Sequence, residues 1–346
     1  MKNKVSIYAL TTDQLSEQLV SFGLKKHNAI QIYQWIYQKQ LMSFDQMSNI
    51  AKASYAILNQ HYCFNNLTII KKESDTTEAT IKFLFQLHDG QYIETVLMQF
   101  DYGYSVCISS QVGCNMGCKF CASGLLKKQR DLTVDELVLQ VVQVQQYLWA
   151  KQHSHISNIV VMGIGEPFDN YVNLKNALNI FNHPHGLAIG NRHITISTCG
   201  LIPRILQMAR DFPQVNLAIS LHAPTNELRN QLMPINQKYN LENLLITIKK
   251  YLAITNRRIS FEYILLHGIN DSDMHAEQLG KLLKGVLCYV NIIVYNKINE
   301  QQFIPSKRYL PFMQILKKYG IITTKRLERG IKINAACGQL RAQQIK

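Results

Sequence analysis

Cys114, Cys118 and Cys121 fall within eight residues, in the run CNMGCKFC, and no other spacing in the chain carries as much chemistry. Four thiolates close the coordination sphere of an iron–sulfur cluster. Three leave one iron open, and an open metal position is where a cofactor or substrate can bind and react. Two other readings compete. A structural zinc site needs a fourth ligand, yet no histidine lies within a few residues of the triplet. A C-x-x-C redox pair would use Cys118 and Cys121 and leave Cys114 without a role. Buried inert thiols are common singly, but not as three beside Gly113, Gly117 and Gly124. The spacing favours a cluster with one open iron over zinc or dithiol chemistry.

Further polar candidates recur at the ends of apolar runs, so the elements between them decide whether they meet. Residues 105–109, 158–162, 193–198, 216–221, 259–265 and 288–295 read as strands, with helices between them. The helix over 134–150 opens with a capping box of Thr133 and Glu136. Alternating β and α units predict a parallel sheet, and six of them suit a partial (β/α)6 TIM-like barrel, an α/β fold. Such barrels do their chemistry at the C-terminal ends of the strands. The cysteine triplet follows the first strand, and Gly163-Ile164-Gly165-Glu166 follows the second. Ser197 ends the third, Ser220-Leu221-His222 the fourth, and Asn296 follows the sixth. The serines, His222 and Asn296 offer neutral polar groups suited to ribose and carboxylate contacts. Taken alone, Gly163–Glu166 is an ordinary β-to-α turn.

Upstream of this core, residues 1–65 read as a small helical accessory domain, residues 66–100 as a β-rich extension, and residues 101–346 as the catalytic core. In the first segment Thr12 is placed as a helix cap, Leu15, Leu19 and Phe22 as its apolar stripe, and Gly23 as its stop. A second helix carries Ile30, Ile32, Trp35 and Ile36. In the extension, runs over 67–70, 79–87 and 92–100 are broken by a turn at His88-Asp89-Gly90.

The 346 residues and 47% hydrophobic content suffice for one large domain with an appendage. No apolar stretch reaches the eighteen residues of a transmembrane candidate, and the start MKNKVSIYAL does not read as a secretory signal. Eight cysteines in such a chain point to a reducing cytoplasm. The net charge of +14 and pI near 9.3 favour a polyanionic partner, because each neutralised phosphate releases counterions. Basic pairs recur throughout, among them Lys127-Lys128 with Arg130, Lys249-Lys250 and Arg257-Arg258. Each pair singly is a solvated helix end or loop; their sum favours RNA over a membrane surface.

The stretches SVCISSQVGCNMGCKFCAS, VVMGIGEPFDNY, HITISTCGLIPRI, NLAISLHAP, LMPINQKYN and NAACGQLRA, with QIYQWIYQKQLMSFDQMSNI near the start, resemble the RlmN/Cfr family of radical S-adenosylmethionine (SAM) RNA methyltransferases, in the same order over nearly the whole chain. The resemblance implies a radical SAM barrel with a [4Fe–4S] cluster on Cys114, Cys118 and Cys121 and SAM on its open iron. Gly165 and Glu166 resemble the segment that holds the amino group of SAM, with Ser197, Ser220, Leu221, His222 and Asn296 as further contacts. Glu166-Pro167 looks like the RlmN branch, which methylates C2 of an adenosine in 23S rRNA and of the adenosine 3′ to the anticodon in some tRNAs. The Cfr branch, which has Glu-Ala there, acts at C8. C2 of adenine has no nucleophilic lone pair, so direct polar transfer from SAM fails and radical chemistry is needed. By the same resemblance Cys337 carries the methyl group, received from one SAM. A 5′-deoxyadenosyl radical from a second SAM removes hydrogen from that group, Glu94 accepts the C2 proton, and Cys107 attacks Cys337 to release the product as a disulfide forms. Without the family match Glu94 reads as an exposed strand charge, and beside Ser220 a hydrogen-bonding role for His222 is favoured over a general base. Cys63, Cys199 and Cys288 match no such position and read as small buried hydrophobes.

An electron donor such as flavodoxin with its reductase is expected; composition and the lack of a transmembrane stretch predict no membrane partner and a cytoplasmic protein, with a monomer as the default. Three departures from the family pattern bear on loop geometry: Lys332-Ile333-Asn334 where D-I-D is common, Gly124-Leu125 where a Gly-Gly is frequent, and Lys297 after Asn296. A basic RNA-binding protein with a structural metal site stands as the non-catalytic alternative.

Overall fold

The computed structural model describes residues 4–75, 77, 79–298, 302–326, 329–335 and 339–340, so Cys337 lies outside the described residues. Among them, ten strands form one sheet: β1 (Thr68–Asp75), β2 (Thr80–Gln86), β3 (Tyr92–Phe100), β4 (Gly103–Ile108), β5 (Ile156–Val161), β6 (Ile194–Thr198), β7 (Asn216–Ser220), β8 (Ile259–Leu265), β9 (Cys288–Val294) and β10 (Ile322–Lys325). Their order in space is their order in sequence. From β4 to β10 every pairing is parallel, which gives the expected α/β core with a seventh parallel strand, β10, that the sequence reading lacks. The pairs β1–β2, β2–β3 and β3–β4 are antiparallel, so the N-terminal strands extend this same sheet beyond β4. The turn at His88-Asp89-Gly90 forms as expected, with Gly90 at φ +82°.

Parallel strands are buried on both faces and read as near-continuous apolar runs. β8 is the extreme case, with all seven residues buried. The intervening helices pack against one another and against the sheet, and one large core of Ile, Leu, Val and Phe side chains runs between them. Gln140, fully buried in the helix Val134–Gln152, fixes the end of β4 by accepting from the Ser109 N–H at 2.8 Å and donating to the Ser109 carbonyl at 3.1 Å. Thr133 and Glu136 form the capping box that starts that helix.

Two N-terminal details differ from the sequence reading. The first helix, Thr12–Ser21, is capped by Thr11, whose hydroxyl accepts from the Gln14 N–H while the Gln14 side chain accepts from the Thr11 N–H. In the second, Asn28–Tyr33 runs into a π-helical turn at Gln34–Gln38, and the buried face is Ala29, Ile32, Tyr33, Ile36 and Tyr37. Ile30 points outward, because the inward phase is set by the tyrosines. Among the described residues no helix is long and apolar enough to cross a membrane.

Candidate active site

The segment after β4 leaves the sheet and returns through a two-stranded clip, Gln111–Val112 against Arg130–Asp131. The loop it closes carries the three cysteines. Backbone bonds hold it in shape: Cys114 N–H to the Leu126 carbonyl at 3.0 Å, Cys121 N–H to the Cys118 carbonyl at 3.2 Å, and Lys119 N–H to the Leu232 carbonyl at 3.0 Å. At Gly124 the fold is dense, since a Cβ there would lie 2.5 Å from the Cys118 carbonyl oxygen.

Cys114, Cys118 and Cys121 line one cavity of about 160 Å³ together with Gly165, Glu166, Ser197, Ser220 and His222. The strand ends β4, β5, β6 and β7 thus deliver eight of the expected site residues to one place. Two others sit differently. The Leu221 side chain is buried in the core, its N–H donates to the Glu262 carbonyl, and its carbonyl accepts from Arg229 Nε. Asn296 lines a second, adjoining cavity of about 410 Å³, with Cys107. Met162, Glu262, Ile293 and Arg326 border both.

The donor set fits an iron–sulfur cluster. Burial pushes the Cys114 thiol up to about 12 and the Cys118 thiol well above its ordinary range. Because burial opposes the charged form, a thiolate here is favoured where a metal supplies positive charge. Phe120, Ala122, Met233 and Ile264 keep that pocket apolar. Burial also raises the Glu166 carboxyl, opposed by hydrogen bonds from the Cys199 and Phe168 N–H groups at 2.8 and 3.0 Å. A buried carboxyl of this kind suits a cationic ligand such as an ammonium group. At Gly165, φ is +107° and a Cβ would lie 2.8 Å from the Gln111 nitrogen, so only glycine lets the backbone pass there. His222 accepts from the Ile264 N–H at Nδ1, 3.0 Å away, which places its proton on Nε2. Burial first, and the charge of Arg229 second, push its pKa down to about 3.

Strand register puts Glu94 and Cys107 on one face of the sheet. Val96 on β3 faces Cys107 on β4 and Lys82 on β2, so side chains two apart on β3, including Glu94, share their face of the sheet. Glu94 is buried, not the exposed charge that sequence suggests in isolation, and its carboxylate is 3.1 Å from Lys82 Nζ. Ala335 and Leu340, on either side of Cys337 in sequence, pack with Cys107, Val96 and Ile164 in one apolar cluster. Polar contacts anchor the same segment: the Ser123 hydroxyl donates to the Leu340 carbonyl at 2.8 Å, Gln339 to the Lys297 carbonyl at 3.3 Å, and Lys82 to the Asn334 carbonyl at 3.5 Å.

Sequence reasoning missed Lys82, Glu262, Arg229 and Arg326. Lys82 and Glu262 had a signal, since each interrupts an apolar strand. Arg229, in the polar-looking run Asn226–Leu232, had none.

Residues 108–279 match the Radical SAM superfamily, and residues 5–64 match the ribosomal RNA large subunit methyltransferase N-terminal domain. The chain is 48% identical over 340 residues to the probable dual-specificity RNA methyltransferase RlmN of Malacoplasma penetrans, covering 98% of this chain and 97% of that one. It is 50% identical over 350 residues to the protein of the same description from Enterococcus faecalis, covering 99% and 98%. Among solved structures, a radical SAM methyltransferase from Sphaerobacter thermophilus superposes with a TM-score of 0.92 at 42% identity, covering 98% of this chain and all of that one.

Proposed function

The chain belongs to the RlmN family of radical SAM RNA methyltransferases, and from that premise we propose that it methylates C2 of an adenosine in 23S rRNA and of the adenosine 3′ to the anticodon in some tRNAs. Membership in the radical SAM superfamily implies a [4Fe–4S] cluster and SAM. In this reading Cys114, Cys118 and Cys121 hold the cluster, Gly165 and Glu166 receive the amino group of SAM, and Ser197, Ser220, Leu221, His222 and Asn296 complete its contacts. When bound, these groups supply a transferable methyl group and, on one-electron reduction, the power to abstract hydrogen from an unactivated methyl.

The protein's own residues do the rest. The Cys337 thiolate takes a methyl group by displacement. After that methyl loses a hydrogen atom, its carbon bonds C2 of adenine. The adduct radical returns one electron to the oxidised electron carrier and its C2 proton passes to Glu94, which leaves RNA joined to Cys337 through a methylene. Cys107 then attacks the Cys337 sulfur. The S–S bond forms, the C–S bond breaks, and the carbon keeps the electron pair and takes up a proton to become the methyl group. The two thiols end oxidised by two electrons, and an external dithiol restores them.

The observation that carries this reading is the cluster of Ala335 and Leu340 with Cys107, which brings the two sequence neighbourhoods together beside the face that holds Glu94. Glu166-Pro167 favours C2 over C8. A low-potential carrier of the flavodoxin type supplies electrons, and the enzyme works as a cytoplasmic monomer. The test is anaerobic reconstitution with iron and sulfide, then SAM-dependent methylation of 23S rRNA fragments and tRNA with mass spectrometry of the nucleosides. We expect 2-methyladenosine; 8-methyladenosine alone would overturn the assignment.

A further inference from the structure

Arg229 sits on the helix Asn226–Leu232 and is fully buried, the bulkiest of the fully buried side chains. Four of its five N–H donors are directed at neutral acceptors: Nε to the Leu221 carbonyl at 3.1 Å, Nη1 to Asn236 Oδ1 at 2.9 Å, and Nη2 to the carbonyls of Cys199 and Ser220 at 2.8 and 3.1 Å. None of the ion pairs among the described residues includes it. A buried guanidinium is costly unless an opposite charge answers it. Its charge bears on the ionisable groups around it, the thiols of Cys199 and Cys118 and the His222 ring. Cys199 and Ser220, whose carbonyls it holds, line the same cavity as the three cysteines. The end of its helix is bonded to their loop, through Lys119 N–H to the Leu232 carbonyl.

We infer that Arg229 is a built-in counter-charge for the iron–sulfur cluster, holding its reduction potential within reach of the electron donor. The inference rests on the reading that Cys114, Cys118 and Cys121 bind that cluster. Three thiolates bring negative charge into a pocket of low polarity, and one-electron reduction adds one more. A fixed, fully buried cation on the same site favours the reduced form, and its own burial weakens the screening of its field.

A mere hydrogen-bonding hub at this position behaves differently, and three variants separate the two. Arg229→Lys keeps the charge and gives up most of the donors. Arg229→Gln removes the charge. Asn236→Asp keeps the acceptor that Arg229 uses but cancels its charge, at the expense of Asn236 Nδ2 bonds to Asn226 and Asn230. The measurement is a dithionite titration of the anaerobically reconstituted full chain, followed by electron paramagnetic resonance, at matched iron content. Arg229→Gln and Asn236→Asp are expected to take up the electron only at a more negative potential, and Arg229→Lys at the wild-type potential. An unchanged potential in Asn236→Asp, or a shift in Arg229→Lys as large as in Arg229→Gln, would overturn the inference. If Arg229→Gln fails to take up iron, the other two variants decide. A Cys118→Ala chain that retains its full iron would instead sink the underlying cluster assignment, whatever the potentials.

Discussion

His222 has the chemistry of a general base and the surroundings of a strut. Its Nδ1 is taken by the Ile264 N–H, its carbonyl by Asn270, and its ring lies edge-on to Phe120. With the folded pKa near 3 against an ordinary 6.5, the unfolded chain binds a proton in that window that the folded chain refuses. Folding stability attributable to His222 therefore falls as pH drops below 6.5, by about 1.4 kcal/mol per pH unit, and stops falling near pH 3. His222→Asn tests this, because Asn tolerates the left-handed φ of +57° and offers an oxygen to the Ile264 N–H. Denaturant melts at several pH values should show the variant losing less stability than wild type on acidification. Parallel curves would refute the assignment. For Cys107 the expected outcome is chemical. Cys107→Ala removes the thiol that frees the product, so RNA stays bound to Cys337. A nuclease-sensitive, slower-migrating protein band on denaturing gels after turnover checks it, and free methylated RNA at the wild-type rate counts against it.

At the scale of elements, the loop between β4 and the helix Val134–Gln152 has to hold three cysteines with little hydrogen-bonded regularity of its own. Gly124 lets its arms close. In Gly124→Ala the new methyl group meets the Cys118 backbone, which cannot rotate away, and such overpacking costs about 1–3 kcal/mol. We expect the variant to retain less iron per chain after reconstitution and desalting, with the thermal melting of the iron-free chain lowered only modestly. Full iron retention would show that the loop yields. The same scale shows what was legible in sequence. β5 to β9 announce themselves as short runs rich in Ile, Val and other strand formers, buried throughout in β8 and on alternate residues in β6. β10 does not, because Ile322–Lys325 is an exposed edge strand that reads as a polar turn. The cysteine spacing names its chemistry from local sequence. The company of Glu94, Lys82 and Cys107 depends on register across three antiparallel strands, which local sequence does not encode. Arg229 was invisible because a short, mostly polar helix gives no sign that one of its charges is sealed inside.

Over the whole molecule, the charge of +14 is not spread evenly in its effect. Lys128 and Arg130, in the most basic-looking stretch after the cysteines, are spent on Asp131, Asp169, Asp89 and Glu136 at 2.7–2.8 Å. These pairs brace the clip at the root of the loop and leave little charge for a partner. Lys119 and Lys127 on the cysteine loop and Lys297 after β9 are exposed, and all three follow the C-terminal ends of parallel strands, the end of the sheet that holds the mouth of the candidate site. An RNA strand entering that mouth places phosphates against them, and each neutralised phosphate of a single strand adds about 0.7 to the slope of log affinity against log salt. The triple variant Lys119→Gln, Lys127→Gln, Lys297→Gln should therefore bind substrate RNA more weakly at low salt and lower that slope by about 2, from three contacts. Replacing Lys128 and Arg130 by Gln should lower the melting temperature and leave the slope nearly unchanged. Fluorescence anisotropy of a labelled RNA fragment across a salt series separates the two groups. If the Lys128 and Arg130 variant reduces the slope as much as the triple one, the ion pairs of the clip open on RNA binding and the division between bracing and binding charge is wrong.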